Sequence, residues 1–142
     1  MLAHVKKFII GTAALCMTIV AEARDNSSCE ALLQTLSDTE MKARKSYLGE
    51  AKGDPSQLMA DAAKSFDTFV HSCDLGPMAY AGVLIHGRLS LLQRAAGKIV
   101  QADIAAASAV GYAEALRKHK IAWPEVEHMV READRKQRSK AN

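Results

Sequence analysis

Three cysteines and five histidines carry most of the chemistry this chain has to offer, and their spacing decides what kind. Cys16 sits inside an apolar run, while Cys29 and Cys73 fall in segments of amphipathic pattern. There is no Cys-x-x-Cys pair for redox catalysis and no Cys-x-x-Cys-His for haem attachment. His71 and Cys73 are two apart, so on a helix their side chains diverge and a shared metal is awkward. His119 and His128 flank Trp123-Pro124, with Met129 close by, and imidazole and thioether suit copper or zinc. Their spacing matches no helical ligand pattern, so neither a metal site nor a cofactor is assigned. His86 lies with Gly82, Ser90 and Gln93 on the less apolar side of a helical segment, the place where a small polar site or an exposed recognition surface is expected.

Catalytic readings find little support. The sequence lacks a Gly-x-Ser-x-Gly elbow, a His-Glu-x-x-His pair and a Walker loop. Glu50, Asp54, Asp61 and Asp67 are scattered over turns and polar helix faces, whereas acid–base work by paired carboxylates needs one of them in a dry pocket. The expectation is a protein that binds and does not catalyse.

The amino-terminal residues predict where it works. Lys6 and Lys7 precede a charge-free stretch from Phe8 to Val20, followed by Ala21-Glu22-Ala23, the layout of a cleavable signal peptide. A membrane-spanning helix needs about 20 apolar residues, and this stretch is shorter. Leu15 precedes Cys16 where lipoprotein processing wants a small residue, so Cys16 reads as part of the apolar run. Residues 1–23 are therefore expected to be removed, leaving a soluble, secreted protein of the periplasm with no stable membrane anchor. Of 19 Lys and Arg and 16 Asp and Glu, Lys6, Lys7 and Glu22 leave with the signal, and the remainder stands two positive charges from neutral. That excludes a strong electrostatic nucleic-acid binder.

In an oxidising compartment two cysteines that remain after cleavage are expected to pair. Cys29, Leu33, Leu36, Ala43 and Tyr47 share one helical face, interrupted only by Glu40. Gly53-Asp54-Pro55 ends that helix and starts the next, with Asp54 as N-cap and Pro55 as first helical residue. The second helix, about Pro55 to Cys73, carries Met59, Ala62, Ala63, Phe66, Phe69, Val70 and Cys73 on one side. If the two fold back antiparallel, the residue facing Cys29 falls near position 78, about one and a half turns from Cys73. Both cysteines also lie on the faces that must meet. A Cys29–Cys73 bridge is expected, and closing that loop removes unfolded-state entropy worth roughly 4 kcal/mol in the chain-entropy model.

Asp74-Leu75-Gly76-Pro77 breaks the chain again. A third helix is expected from about Pro77 to Ala96, with one seam of Ala81, Ile85, Leu89, Leu92 and Ala96 and an adjacent one of Tyr80, Leu84, Leu91 and Ala95. Two seams mean burial against more than one neighbour. Gly82 and Gly87 inside it cost helix propensity, which a second backbone passing close would explain. After Gly97-Lys98 a fourth helix, about Ile99 to Lys118, has a flat seam of Ile99, Ala102, Ala106, Ala109, Ala113 and Leu116. That seam is expected to pack on the third helix; its other use is a groove for a partner helix or a self-association face. Trp123-Pro124 opens a short fifth helix with Val126, Met129, Val130 and Ala133 on one side. Residues 135–142 read as a basic, disordered tail.

The fold class predicted is all-α: a compact bundle of about five helices in two antiparallel hairpins, with the fifth across one end and one disulfide bracing it, over residues 24–134. Ala62-x3-Phe66-x2-Phe69 and Ser108-x3-Tyr112-x2-Ala115 have a spacing seen in tetratricopeptide-type repeats. They recur at a much longer interval than roughly 34 residues and lack the repeat signature, so no family is assigned. The function expected is non-catalytic protein binding to another exported or envelope protein, as an immunity or inhibitor protein, a secretion or conjugation accessory factor, or a small chaperone. The expected surface is His86, Ser90, Gln93 and Trp123. The alternative is a periplasmic carrier of a metal or small ligand.

Overall fold

The computed structural model describes residues 28–74 and 76–142. The apolar run Phe8–Val20, Cys16 and the expected cleavage site lie outside those residues. The described chain is a bundle of five α-helices: α1 (residues 28–47), α2 (Pro55–Ser72), α3 (Ala79–Ala95), α4 (Ile99–Arg117) and α5 (Trp123–Lys140). No helix among the described residues is long and apolar enough to cross a membrane.

The helix boundaries follow local chemistry. Asp54 caps α2 by accepting a hydrogen bond from the Ser56 amide at 3.0 Å, and Pro55 is the first helical residue. Gly53 precedes the cap at φ +133°, a conformation that a side chain would strain. Pro77 does not open α3 as expected; Gly76–Met78 form a single 3₁₀ turn and α3 starts at Ala79. Gly97 at φ 75° makes the short turn into α4.

α1 and α2 form the first hairpin, closed by the Cys29–Cys73 disulfide, whose Cα atoms are 5.9 Å apart. Leu36 and Ala43 of α1 meet Met59, Ala62, Ala63, Phe66 and Phe69 of α2 in the main core. Leu33 faces outward, leaving Leu32 to complete the stripe. The second hairpin is α3 with α4, where Ala102, Ala106, Ala109 and Ala113 are all buried. Ser90 donates to the Ala102 carbonyl at 2.7 Å across that interface, an approach that small alanines permit. The two ends assigned to the alanine seam, Ile99 and Leu116, are exposed. The alanine face of α4 is thus taken up inside the bundle.

α3 is the central helix and packs against α2, α4 and α5. Its glycines explain how. A Cβ on Gly82 would lie 2.6 Å from Phe66 Cε1 and 2.9 Å from Tyr112 Cδ2, and one on Gly87 would lie 2.5 Å from Val130 Cγ2. The close neighbours are therefore side chains rather than the second backbone expected. The Val130 contact also shows where α5 runs. Val126, Val130 and Asp134, one turn apart, meet the levels of Val83, Gly87 and Arg88, so α5 lies along α3 and not across an end.

The tail assignment is corrected as well. α5 continues to Lys140 and includes all but the last two residues of the segment read as disordered. Its sequence holds i,i+4 ion pairs, Glu127–Arg131 at 2.7 Å and Glu132–Lys136 at 3.1 Å. Such pairs support a helix that has little apolar content in its last turns.

Candidate functional site

Three helices that meet edge to edge leave a groove between them. Here α2, α3 and α4 enclose a groove of about 660 Å³. Along α2 it runs from Ala60 to Ser72, and a helical stretch of that length rises roughly 18 Å. Its floor is apolar and built from small side chains, Ala60, Ala63 and Ala105, together with Leu89. On its rim Ile104 is 64 % exposed, and Val100, one turn earlier on α4, is 71 % exposed. Large apolar side chains left this open on adjacent turns mark a face that the bundle itself does not cover.

One end of the groove is polar. His86 Nε2 lies 2.9 Å from Asp67 Oδ1, and because a carboxylate oxygen accepts, Nε2 is the protonated nitrogen that donates. The Tyr112 hydroxyl donates to the same Oδ1 at 3.1 Å. The Phe66 ring holds both partners, standing edge-on to Tyr112 at 5.0 Å and to His86 at 6.2 Å. Burial, and then the Asp67 charge and hydrogen bond, push Tyr112 up to about 12. Asp67 lines the groove with its side chain 54 % exposed, and its Oδ2 has no hydrogen-bond partner among the described residues.

The other end is marked by Gln93. Its Oε1 is buried and has no hydrogen-bond partner among the described residues. A buried acceptor left unpaired costs about 1–3 kcal/mol. Gln101 lies on the α4 side near it, and Lys64, Thr68, His71 and Ser108 complete the polar rim.

The residues expected to make a surface thus divide. His86 and Gln93 both line the groove, as does Asp67, which the Tyr112 hydroxyl bonds. His86 is only 4 % exposed, so it works as a wall group behind Asp67 and not as an exposed contact. Ser90 is wholly buried and bonded to Ala102, which removes it from any surface. Trp123 begins α5 and packs on the second core cluster of Val83, Ala109, Ala113, Ile121 and Val126, away from the groove. His119 meets the Arg117 carbonyl and His128 the Glu132 carboxylate, each on its own. Among the described residues no group of three or more His, Cys, Asp and Glu side chains converges as a metal site would require.

A second polar cluster escaped the sequence reading. Arg88 is 1 % exposed and donates through Nε and Nη2 to Asp134 Oδ1, at 2.9 and 2.8 Å. Tyr47 donates to Asp134 Oδ2 at 2.7 Å, and the Arg88 guanidinium stands 5.5 Å from the Tyr47 ring centre. Burial, helped by the bond and charge of Asp134, pushes Tyr47 up to about 12 against the opposing pull of Arg88 and Arg138. Glu40, the polar interruption in the α1 stripe, lies 3.4 Å from Arg44 and 3.9 Å from Arg88. This knot ties α1, α3 and α5 together and is satisfied within the chain. Its sequence signal was an arginine between two apolar seams of one helix, a position with no route to solvent.

The chain matches no family model, no curated protein and no solved structure.

Proposed function

We propose that this chain is a small exported, non-catalytic binding protein that acts on another exported or envelope protein through the α2–α3–α4 groove. The observation that carries the reading is the groove itself: about three helical turns long, apolar at Ala60, Ala63, Leu89 and Ala105, with Ile104 exposed on its rim and Val100 exposed one turn earlier on α4. Helices of one protein are commonly recognised in grooves of this shape on another. The disulfide and the signal-like amino terminus fit a periplasmic setting. The candidate roles are an immunity or inhibitor protein, a secretion or conjugation accessory factor and a small chaperone.

The test is capture from a native envelope extract with the tagged wild-type protein and with Ile104→Glu, which places a charge on an exposed rim position. A partner bound in 1:1 ratio by the wild type and lost with Ile104→Glu is the expected result. Equal capture by both proteins would move the binding surface elsewhere.

A second reading, a carrier of a small organic ligand, is favoured by the polar cluster of Asp67 with His86 and Tyr112 at the groove. Titration calorimetry with the small-molecule fraction of the same extract separates it from the first.

A further inference from the structure

The positive charge of this chain is unevenly placed. Residues 131–140 carry Arg131, Arg135, Lys136, Arg138 and Lys140 against Glu132 and Asp134, whereas residues 24–130 hold one more acidic side chain than basic. The positive excess after residue 23 therefore sits in the last turns of α5. A disordered tail would spread these charges through solvent, but a helix gives them fixed places. Arg131, Arg135 and Arg138 fall at i, i+4 and i+7, so they share one edge of α5. That edge borders a cleft of about 270 Å³ between α1 and α5, lined by the three arginines with Tyr47 and Asp134.

The carboxylates near this edge are committed within the chain. Asp134 turns Oδ1 to Arg88 at 2.8 Å and Oδ2 to Tyr47 at 2.7 Å, and its side chain is 9 % exposed. Glu127 accepts from Arg131 Nε and Nη2 on one oxygen, which leaves Arg131 Nη1 outside that contact. Glu132 is held by Lys136 at 3.1 Å. Arg135 and Arg138 make no ion pair among the described residues, and the Arg138 charge is close enough to act on the Tyr47 hydroxyl. With Arg88 set against Asp134 and Arg131 against Glu127, the cleft keeps the full charge of Arg135 and Arg138.

These arginines are hydrated and need no partner to be stable. The attraction comes from two like charges, three residues apart on one rigid edge, that a shared anion relieves. Guanidinium geometry then selects the anion, because each fork presents parallel N–H donors to paired oxygens. A carboxylate has two oxygens, enough for one fork. A phosphate group has more oxygens and more charge, and it meets two forks at once.

We propose that the Arg131–Arg135–Arg138 edge of α5 is a phosphate-binding site, in which Arg135 and Arg138 grip the phosphate oxygens and Arg131 adds its charge. The shared chemistry is the phosphate group, carried by a soluble phosphate or by the headgroup of an anionic phospholipid.

The test titrates inorganic phosphate into the oxidised protein at neutral pH and constant ionic strength, following arginine Nε–H signals in ¹H–¹⁵N spectra. Wild type should show saturable shifts of Arg135 and Arg138 with a Kd on the order of 1 mM, the strength of about two charge-assisted bonds. Arg135→Lys with Arg138→Lys keeps the charge and loses the forks, so affinity should fall about tenfold while the thermal midpoint stays unchanged. Ile104→Glu, on α4, should bind phosphate as the wild type does, which keeps this site separate from the groove reading. In parallel, wild type and the lysine variant are sedimented with vesicles of phosphatidylglycerol and phosphatidylcholine in equal parts, and of phosphatidylcholine alone. Phosphate shifts without sedimentation assign a soluble phosphate. Sedimentation on the phosphatidylglycerol vesicles that the lysine variant loses assigns the lipid headgroup. Responses shared equally by wild type and the lysine variant, or neither saturation nor sedimentation, would overturn the proposal.

Discussion

Arg88 and Asp134 meet inside the bundle through two donations to one oxygen, at 2.9 and 2.8 Å, although 46 residues separate them in the chain. Their pairing joins the central helix to α5, and the Tyr47 hydroxyl on the other carboxylate oxygen joins both to α1. Removing one partner of a buried pair strands the other charge, which typically costs about 3–5 kcal/mol. Asp134→Ala is therefore expected to lower stability by that order in urea unfolding. Asp134→Asn, which keeps an acceptor for Tyr47, should cost less. Equal loss from the two substitutions would show that the charge of Asp134, and not its acceptor for Tyr47, carries the contribution.

Tyr47 and Tyr112 are both pushed up to about 12. Each keeps its proton in the folded protein at a pH where the unfolded chain, near 10, would release it. Their contribution to stability is thus complete below pH 10 and is lost as pH rises toward 12. Thermal midpoints measured from pH 9 to 12 should fall through this window. A Tyr47→Phe, Tyr112→Phe double variant should show a shallower fall over the same range, though it starts from lower stability.

Two glycines of the α3–α4 hairpin should respond in opposite ways to alanine. At Gly82 the new Cβ meets the Phe66 and Tyr112 rings at 2.6 and 2.9 Å, and those rings back the polar end of the groove. Overpacking of this kind costs about 1–3 kcal/mol. At Gly111 nothing lies within 4 Å, so Gly111→Ala should gain up to about 1 kcal/mol from helix propensity. Chemical denaturation of both variants checks the sign of each change.

Reduction of the Cys29–Cys73 bridge should destabilise the α1–α2 hairpin more than any single surface change. The oxidised protein should weigh two hydrogens less than the reduced one, and Cys29→Ser with Cys73→Ser should cost about 2–4 kcal/mol. A double variant as stable as the wild type would mean that the core of Leu36, Ala43 and Phe66 holds the hairpin by itself.

The helices and the disulfide were legible in the sequence because they rest on local rules. Asp54-Pro55 and Gly97 are punctuation that the backbone obeys, and Met59, Ala62, Phe66 and Phe69 repeat with helical period because one face is buried. The carboxyl-terminal turns of α5 were missed because their support comes from ion pairs on exposed faces, which composition alone reads as disorder. The groove was half legible. His86 and Gln93 stood out as polar residues on an apolar helix, but Ser90 was grouped with them although it faces α4. Asp67 and Tyr112 join them only through tertiary packing, since 45 residues separate that bonded pair. No periodicity within one helix reveals such a partnership.

The central claim, that the groove is the binding surface, is tested most directly by photo-crosslinking inside cells. A benzophenone amino acid is placed at Ile104 on the groove rim and, separately, at His128, which is exposed on α5 away from the groove. If partners bind in the groove, position 104 gives a single discrete adduct of defined mass and position 128 gives none. An adduct from 128 with nothing at 104 would contradict it and move the site to the α5 face.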